Sequence, residues 1–119
     1  MQAVPVLRIR DLVQSERFYC DVLGFRVDWR WRDAEGLPVF MQIGRDNLRL
    51  YLTEQPLCEF GGLVYLYVDD VDRWYADILK TATGVDALPQ DQPWGNREMQ
   101  LSDPDGNKLR LCSAFRVSR

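Results

Sequence analysis

One plan occurs twice in this chain, about sixty residues apart, and neither copy contains a histidine. In the first half an apolar run from Val4 to Ile9 leads through Asp11 to a helical stretch with Phe18 and Tyr19. In the second, Leu63 to Val68 leads through Asp70 to Trp74 and Tyr75. Later, Gln42-Ile43 before Asn47-Leu48-Arg49-Leu50 answers to Gln100-Leu101 before Lys108-Leu109-Arg110-Leu111. The spacings agree: Asp11 and Asp70 lie 59 positions apart, Gln42 and Gln100 58, Leu48 and Leu109 61. A repeat of this period implies one supersecondary unit used twice. Each half reads as a strand, a helix and three strands, so the fold class is α+β, built from two βαβββ modules.

Size sets the scale of the duplication. The 119 residues make one domain of residues 1–119, with module 1 at about 3–54 and module 2 at about 62–114. Apolar residues at 46% and charged residues at 28% describe a soluble globular protein. The net charge of −3 and pI near 4.9 argue against nucleic acid as a partner, which needs a basic surface. A charged partner is expected to be cationic. Cys20, Cys58 and Cys112 are an odd set without CxxC spacing, which fits reduced thiols in the cytoplasm better than a disulfide framework. The first residues lack a signal-peptide pattern, and no apolar run reaches the length of a bilayer span, so no membrane partner is expected.

Local signals place the elements. Asp11 or Ser15 is suited to cap the first helix, Gly24 ends it, and Phe25 to Trp31 alternates as a strand. Val39–Ile43 and Leu48–Leu52 suggest a hairpin about Gly44 to Asn47, and Gln55 to Gly62 a connector. In the second helix Val71, Trp74, Tyr75, Ile78 and Leu79 form an apolar stripe after Asp69 and Asp70. Gly84 to Gly95 reads as a long polar stretch in which the second strand of module 2 is indistinct. Met99–Leu101 pairs with Lys108–Cys112 about Asp103-Pro104-Asp105-Gly106, and Ala114 to Arg119 reads as a tail.

Chemistry is conspicuous by residue type. Without histidine, acid–base work would fall to a carboxylate, cysteine or tyrosine of shifted pKa, and no nucleophile–base constellation or phosphate-cradling glycine loop is visible. An enzyme is disfavoured. Aromatic residues stand out instead. Trp29 and Trp31 are two apart on one strand and share a face; Tyr65 and Tyr67 repeat the arrangement; Trp94 follows Pro93 in a loop. Each ring is a candidate for stacking on a planar ligand, and for each the ordinary alternative is sheet packing.

These segments resemble the vicinal oxygen chelate superfamily of glyoxalases and dioxygenases, and within it the bleomycin resistance proteins. The marks are Val4 to Leu7 with Arg10-Asp11, Phe18-Tyr19 with Leu23-Gly24-Phe25, Tyr75-Ala76, and above all Pro93-Trp94-Gly95-Asn96-Arg97-Glu98 leading to Asp103-Pro104-Asp105-Gly106-Asn107. The resemblance covers about Ala3 to Ala114. It implies a glyoxalase/bleomycin-resistance-like fold with an open cleft, in a homodimer that exchanges its N-terminal strand at a proline resembling Pro5.

In superfamily enzymes histidines and glutamates hold a divalent metal; the resemblance carries those positions onto Val4, Leu63, Tyr51 and Arg110. None suits such an ion, so no metal and no cofactor are expected. In the bleomycin binders a flat bithiazole tail is gripped by rings matching Trp29 and Trp94, with a small hydroxyl residue matching Thr53. Stacking supplies roughly 0.5–1.5 kcal/mol per ring against about 8 kcal/mol for micromolar affinity. Carboxylates facing a cationic drug would have to add to it, and Asp28, Asp33, Glu35, Glu54 and Glu98 are candidates. The expected function is metal-free binding and sequestration of bleomycin-type or similar flat, cationic antibiotics, giving resistance without chemical modification. The alternatives are the same fold binding another aromatic or heterocyclic metabolite and, less favoured, a metal-dependent lyase or dioxygenase.

Overall fold

The structure is a computed structural model in which residues 1–114 are described; of the expected tail, residues 115–119 lie outside them. The described residues divide into two units: Met1–Gly62 with Asp103–Asn107, and Leu63–Ser102 with Lys108–Ala114.

In the first unit β1 (Val6–Arg8) precedes α1 (Leu12–Glu16), which continues as a π-helical turn over Arg17–Val22. Three strands follow: β2 (Arg26–Trp31), β3 (Phe40–Arg45) and β4 (Leu48–Thr53). The four-stranded sheet has the order β1-β4-β3-β2, with β1 parallel to β4 and the other pairs antiparallel. Asp11, not Ser15, caps α1, its carboxylate accepting from Val13 N at 2.8 Å; Ser15 is buried. Gly24, at φ +72°, takes the left-handed conformation that lets the chain leave the helix. The β3–β4 hairpin closes tightly through Asp46, at φ +52°, and Asn47. Alternate residues Met41 and Ile43, Leu50 and Leu52 are fully buried with Tyr19 and Leu23, each large apolar side chain contributing roughly 1.5–3 kcal/mol.

The second unit repeats this order with β5 (Leu63–Tyr67), α2 (Val71–Leu79), β6 (Ala87–Asp91), β7 (Asn96–Ser102) and β8 (Lys108–Ala114). Its sheet order is β5-β8-β7-β6. The repetition extends to the register. Gln42 pairs with Tyr51 as Gln100 pairs with Arg110, and Phe40 with Thr53 as Glu98 with Cys112.

Two expectations need correction. The polar stretch after Gly84 contains the strand β6, despite Pro89. The strand lies at the sheet edge, and its pairing with β7 is irregular between Ala87 and Gln90, so Pro89 need donate nothing to a ladder. The apolar stripe of α2 is also narrower than its spacing suggests. Val71, Trp74 and Ile78 are buried, whereas Leu79 is 53% exposed, because a residue one step past Ile78 is turned about 100° off the packed face.

The Asp103–Asn107 turn is packed into the first unit. Tyr19, fully buried, donates its phenol to Asp103 Oδ2 at 2.7 Å. Asp103 also accepts from the backbone N–H groups of Asp105 and Asn107, each at 2.8 Å. Burial, then the adjacent Asp103 carboxylate, push the Tyr19 phenol well above its usual range.

Candidate functional site

In the first unit one face of the sheet carries a ring cluster. Directly paired residues project to the same side of a sheet, so Trp29, Gln42, Tyr51 and Val6 form one row, and Trp31, Phe40, Thr53 and Arg8 the next. Trp29 stacks on Phe40 with centroids 5.8 Å apart and planes 14° from parallel. It tilts against Tyr51 at 5.6 Å, while Phe40 and Tyr51 lie 5.1 Å apart. Trp29 remains 40% and Trp31 52% exposed. The cluster thus offers aromatic surface already ordered by its neighbours.

A bulge in β2, where pairing shifts between Val27 and Trp29, turns Asp28 to this same face beside Trp29. Asp28 accepts from Gln42 at 2.9 Å and is ion-paired with Arg26 and Arg49. Gly44 leaves room for this pair, since a Cβ there would lie 2.8 Å from both Asp28 Oδ2 and Arg49 Nη1. Asp28 is therefore already matched by two guanidinium groups. Thr53 is fully buried; its hydroxyl accepts from Gln55 N at 2.9 Å and lies 3.4 Å from the Val39 carbonyl. Glu54 accepts from Leu12 N and Val39 N. Asp33 and Glu35 lie in the β2–β3 loop, Glu35 exposed. A separate hollow of about 500 Å³, lined by Arg10, Asp11, Arg32, Leu37 and Glu54 among others, contains none of the clustered rings.

In the second unit the equivalent positions hold charge. Phe40 corresponds in register to Glu98 and Tyr51 to Arg110, so a ring pair in one module is replaced by an ion pair in the other. Glu98 is 1% exposed. Its Oε1 accepts from Arg110 Nε at 2.7 Å and the Tyr65 phenol at 3.2 Å; its Oε2 accepts from Trp94 Nε1 at 2.7 Å and Asn96 Nδ2 at 3.4 Å. Burial alone would raise the Glu98 carboxyl, but the hydrogen bonds from Arg110, Trp94, Asn96 and Tyr65 outweigh it and hold the group below its ordinary value. Asn96 also reaches the Tyr67 phenol at 3.5 Å. Trp94, Tyr65 and Tyr67 are 62%, 43% and 65% exposed, so two open rings are tied directly to one buried carboxylate and a third through Asn96. Cys112, paired with Glu98 across the strands, is pushed up to about 11 by burial and the Glu98 charge, which makes it a poor nucleophile.

A family model described as "Glyoxalase superfamily protein" matches residues 1–117. The chain belongs to the glyoxalase superfamily. Its α+β architecture of two βαβββ modules is the glyoxalase/bleomycin resistance fold. This glyoxalase superfamily member is similar to a bleomycin resistance determinant encoded on the transposon Tn5, with 28% identity, coverage of 98% of this chain and 99% of that one, and a TM-score of 0.77. It is similar to a bleomycin-binding protein complexed with bleomycin, at 29% identity, 97% and 99% coverage and a TM-score of 0.72. For the bleomycin-binding protein of bleomycin-producing Streptomyces verticillus, complexed with copper(II)-bleomycin, the values are 26%, 98% and 97%, and 0.75. The uncharacterised YraH of Bacillus subtilis is 25% identical over 120 residues, 88% of this chain and 91% of its own length.

The metal chemistry of superfamily enzymes does not fit the donor set. Tyr51 lies against Trp29 and Phe40, Arg110 places a fixed positive charge beside Glu98, and Val4 and Leu63 carry no donor atom. Among the described residues no three His, Cys, Asp or Glu side chains come together in a way that would hold an ion. Among the described residues no helix is long and apolar enough to cross a membrane.

Phe40, Asn96 and the place of Tyr51 in the ring cluster did not emerge from the sequence. The signal for the two rings was present in the repeat, because the 58- and 59-residue offsets align Phe40 with Glu98 and Tyr51 with Arg110.

Proposed function

We propose that this protein binds flat, bleomycin-type antibiotics by stacking on aromatic side chains and sequesters them unchanged, as a metal-free, cytoplasmic homodimer. The observation that carries the reading is the exposed, ordered ring set: Trp29 on Phe40 and Tyr51 in one module, and Trp94 held by Glu98 in the other. Similarity to three bleomycin-resistance or bleomycin-binding structures at 26–29% identity supports it. Offset stacking on preordered rings binds a planar group with little loss of side-chain freedom. Resistance then follows by mass action, with protein in excess of drug.

One observation favours a second reading, an uncharged aromatic or heterocyclic metabolite. Asp28 and Glu98, the carboxylates nearest the rings, are both matched by arginines, so a cation is not demanded.

Titration with metal-free and copper-loaded bleomycin, followed by tryptophan emission, tests the reading. Saturable quenching at one drug per chain, with the drug recovered at unchanged mass, is expected. No response up to about 100 μM drug, equivalent to less than about 5.5 kcal/mol of binding, would refute bleomycin binding and favour the second reading. A changed drug mass would overturn sequestration.

A further inference from the structure

We infer that Glu98 is a positioning residue: it orients the Trp94 and Tyr65 rings and is not a counter-ion for a cationic ligand. The functional consequence rests on the ligand-binding reading above.

A carboxylate that attracts a cation from solvent must present an oxygen to it. Glu98 does not, being 1% exposed. Arg110, at 2.7 Å, already neutralises it. A carboxylate has about four lone-pair directions, and four different side chains donate to this one. No acceptor direction is left for a ligand.

What the donors have in common is their position. Trp94 and Tyr65 are mostly or partly open to solvent at the ring yet anchored at the polar atom, and an exposed ring otherwise rotates freely about its side-chain torsions. The tie acts at the polar atom of each ring and not on its faces. Because Trp94 Nε1 is engaged at 2.7 Å, the indole offers a ligand its faces and not its N–H. The selected ligand is therefore a planar group recognised by stacking, and a hydrogen-bond acceptor at the indole edge adds nothing. The register adds weight to this assignment. Module 1 orders Trp29 by packing it on Phe40 and Tyr51, whereas module 2 has Glu98 and Arg110 at those two positions and orders Trp94 by a charge-assisted hydrogen bond.

The test has two arms. In ¹H–¹⁵N spectra without ligand, Trp94→Phe identifies the Trp94 indole N–H. Glu98→Gln is expected to shift that signal and speed its exchange with water, leaving the buried Trp74 signal in place. The double variant Glu98→Gln/Arg110→Gln leaves no unpaired charge and serves where the single one does not fold. In the second arm, calorimetric titration with metal-free bleomycin compares Glu98→Gln in the wild-type background and in Tyr65→Phe/Trp94→Phe, which lacks both tied polar atoms. Affinity is expected to fall about tenfold in the first, the scale of one lost charge-assisted hydrogen bond, and to change less than about twofold in the second. An unmoved Trp94 signal overturns the positioning role. An equal loss in both backgrounds assigns Glu98 a counter-ion role and overturns it too. The first arm needs no drug, so absence of bleomycin binding defeats the functional reading while the orientation of Trp94 is still decided.

Discussion

Replacing Arg110 with methionine keeps a long unbranched side chain and removes the cation that faces Glu98. The guanidinium is 23% exposed and the carboxylate fully buried at a separation of 2.7 Å. Removing one partner of a buried pair costs about 3–5 kcal/mol. Partial access of water at Arg110, and the three donors left on Glu98, bring the expectation to ~2–3 kcal/mol near neutral pH. A domain stable by about 5–15 kcal/mol survives that loss and can be measured.

The pH dependence makes the prediction sharp. In the wild type the Glu98 carboxyl lies below its ordinary 4.5, so its contribution is fully present above that value and is lost as pH falls through the folded pKa. Without Arg110 the strongest of the hydrogen bonds that lower the group is gone while burial still raises it, so the folded carboxyl titrates higher than in the wild type. The native variant then takes up its proton at a higher pH than the native wild type, which narrows the difference between the two in acid. Urea unfolding from about pH 7 to about pH 4 is therefore expected to show the variant's deficit shrinking with acid at constant m value. A deficit equal at every pH, or below about 0.5 kcal/mol near neutrality, would refute the account of Glu98.

Three further outcomes are expected. Tyr19→Phe leaves Asp103 short of one buried donor while its backbone donors remain, and should cost about 1–2 kcal/mol in urea unfolding; an unchanged midpoint would show the bond to be idle. Thr53→Val removes the acceptor for Gln55 N and should cost about 1 kcal/mol with bleomycin affinity unchanged, whereas weakened affinity at unchanged stability would return Thr53 to the ligand site. Trp29→Ala should weaken bleomycin binding about tenfold, from ring contacts of about 0.5–1.5 kcal/mol each plus lost area; calorimetry showing equal affinity would remove this face from the site.

Much of the fold was legible because it depends on local periodicity. The alternation of Met41 with Ile43 and of Leu109 with Leu111 marks the buried face of each strand, and Asp11 and Asp70 mark both helix starts. The repeat foretold two modules because each segment carries its own cap, stripe and turns. The same-face placement of Trp29 and Trp31 followed from the two-residue period of a strand.

Side-chain surroundings were not legible, because they are set by neighbours distant in sequence. Period alone sends Asp28 to the face opposite Trp29, and only the bulge against β3 brings both to one side. Thr53 and Glu98 looked like groups available to a ligand; packing buries both and gives their polar atoms to Gln55 N and to Arg110, Tyr65, Trp94 and Asn96. The order of residues along the chain determined where strands, helices and turns form, since those answer to torsions and hydrophobic spacing within a few residues. Which rings stay open and which carboxylate is sealed beneath them was decided by tertiary pairing, since burial and hydrogen-bond partnership exist only once β7 and β8 lie side by side.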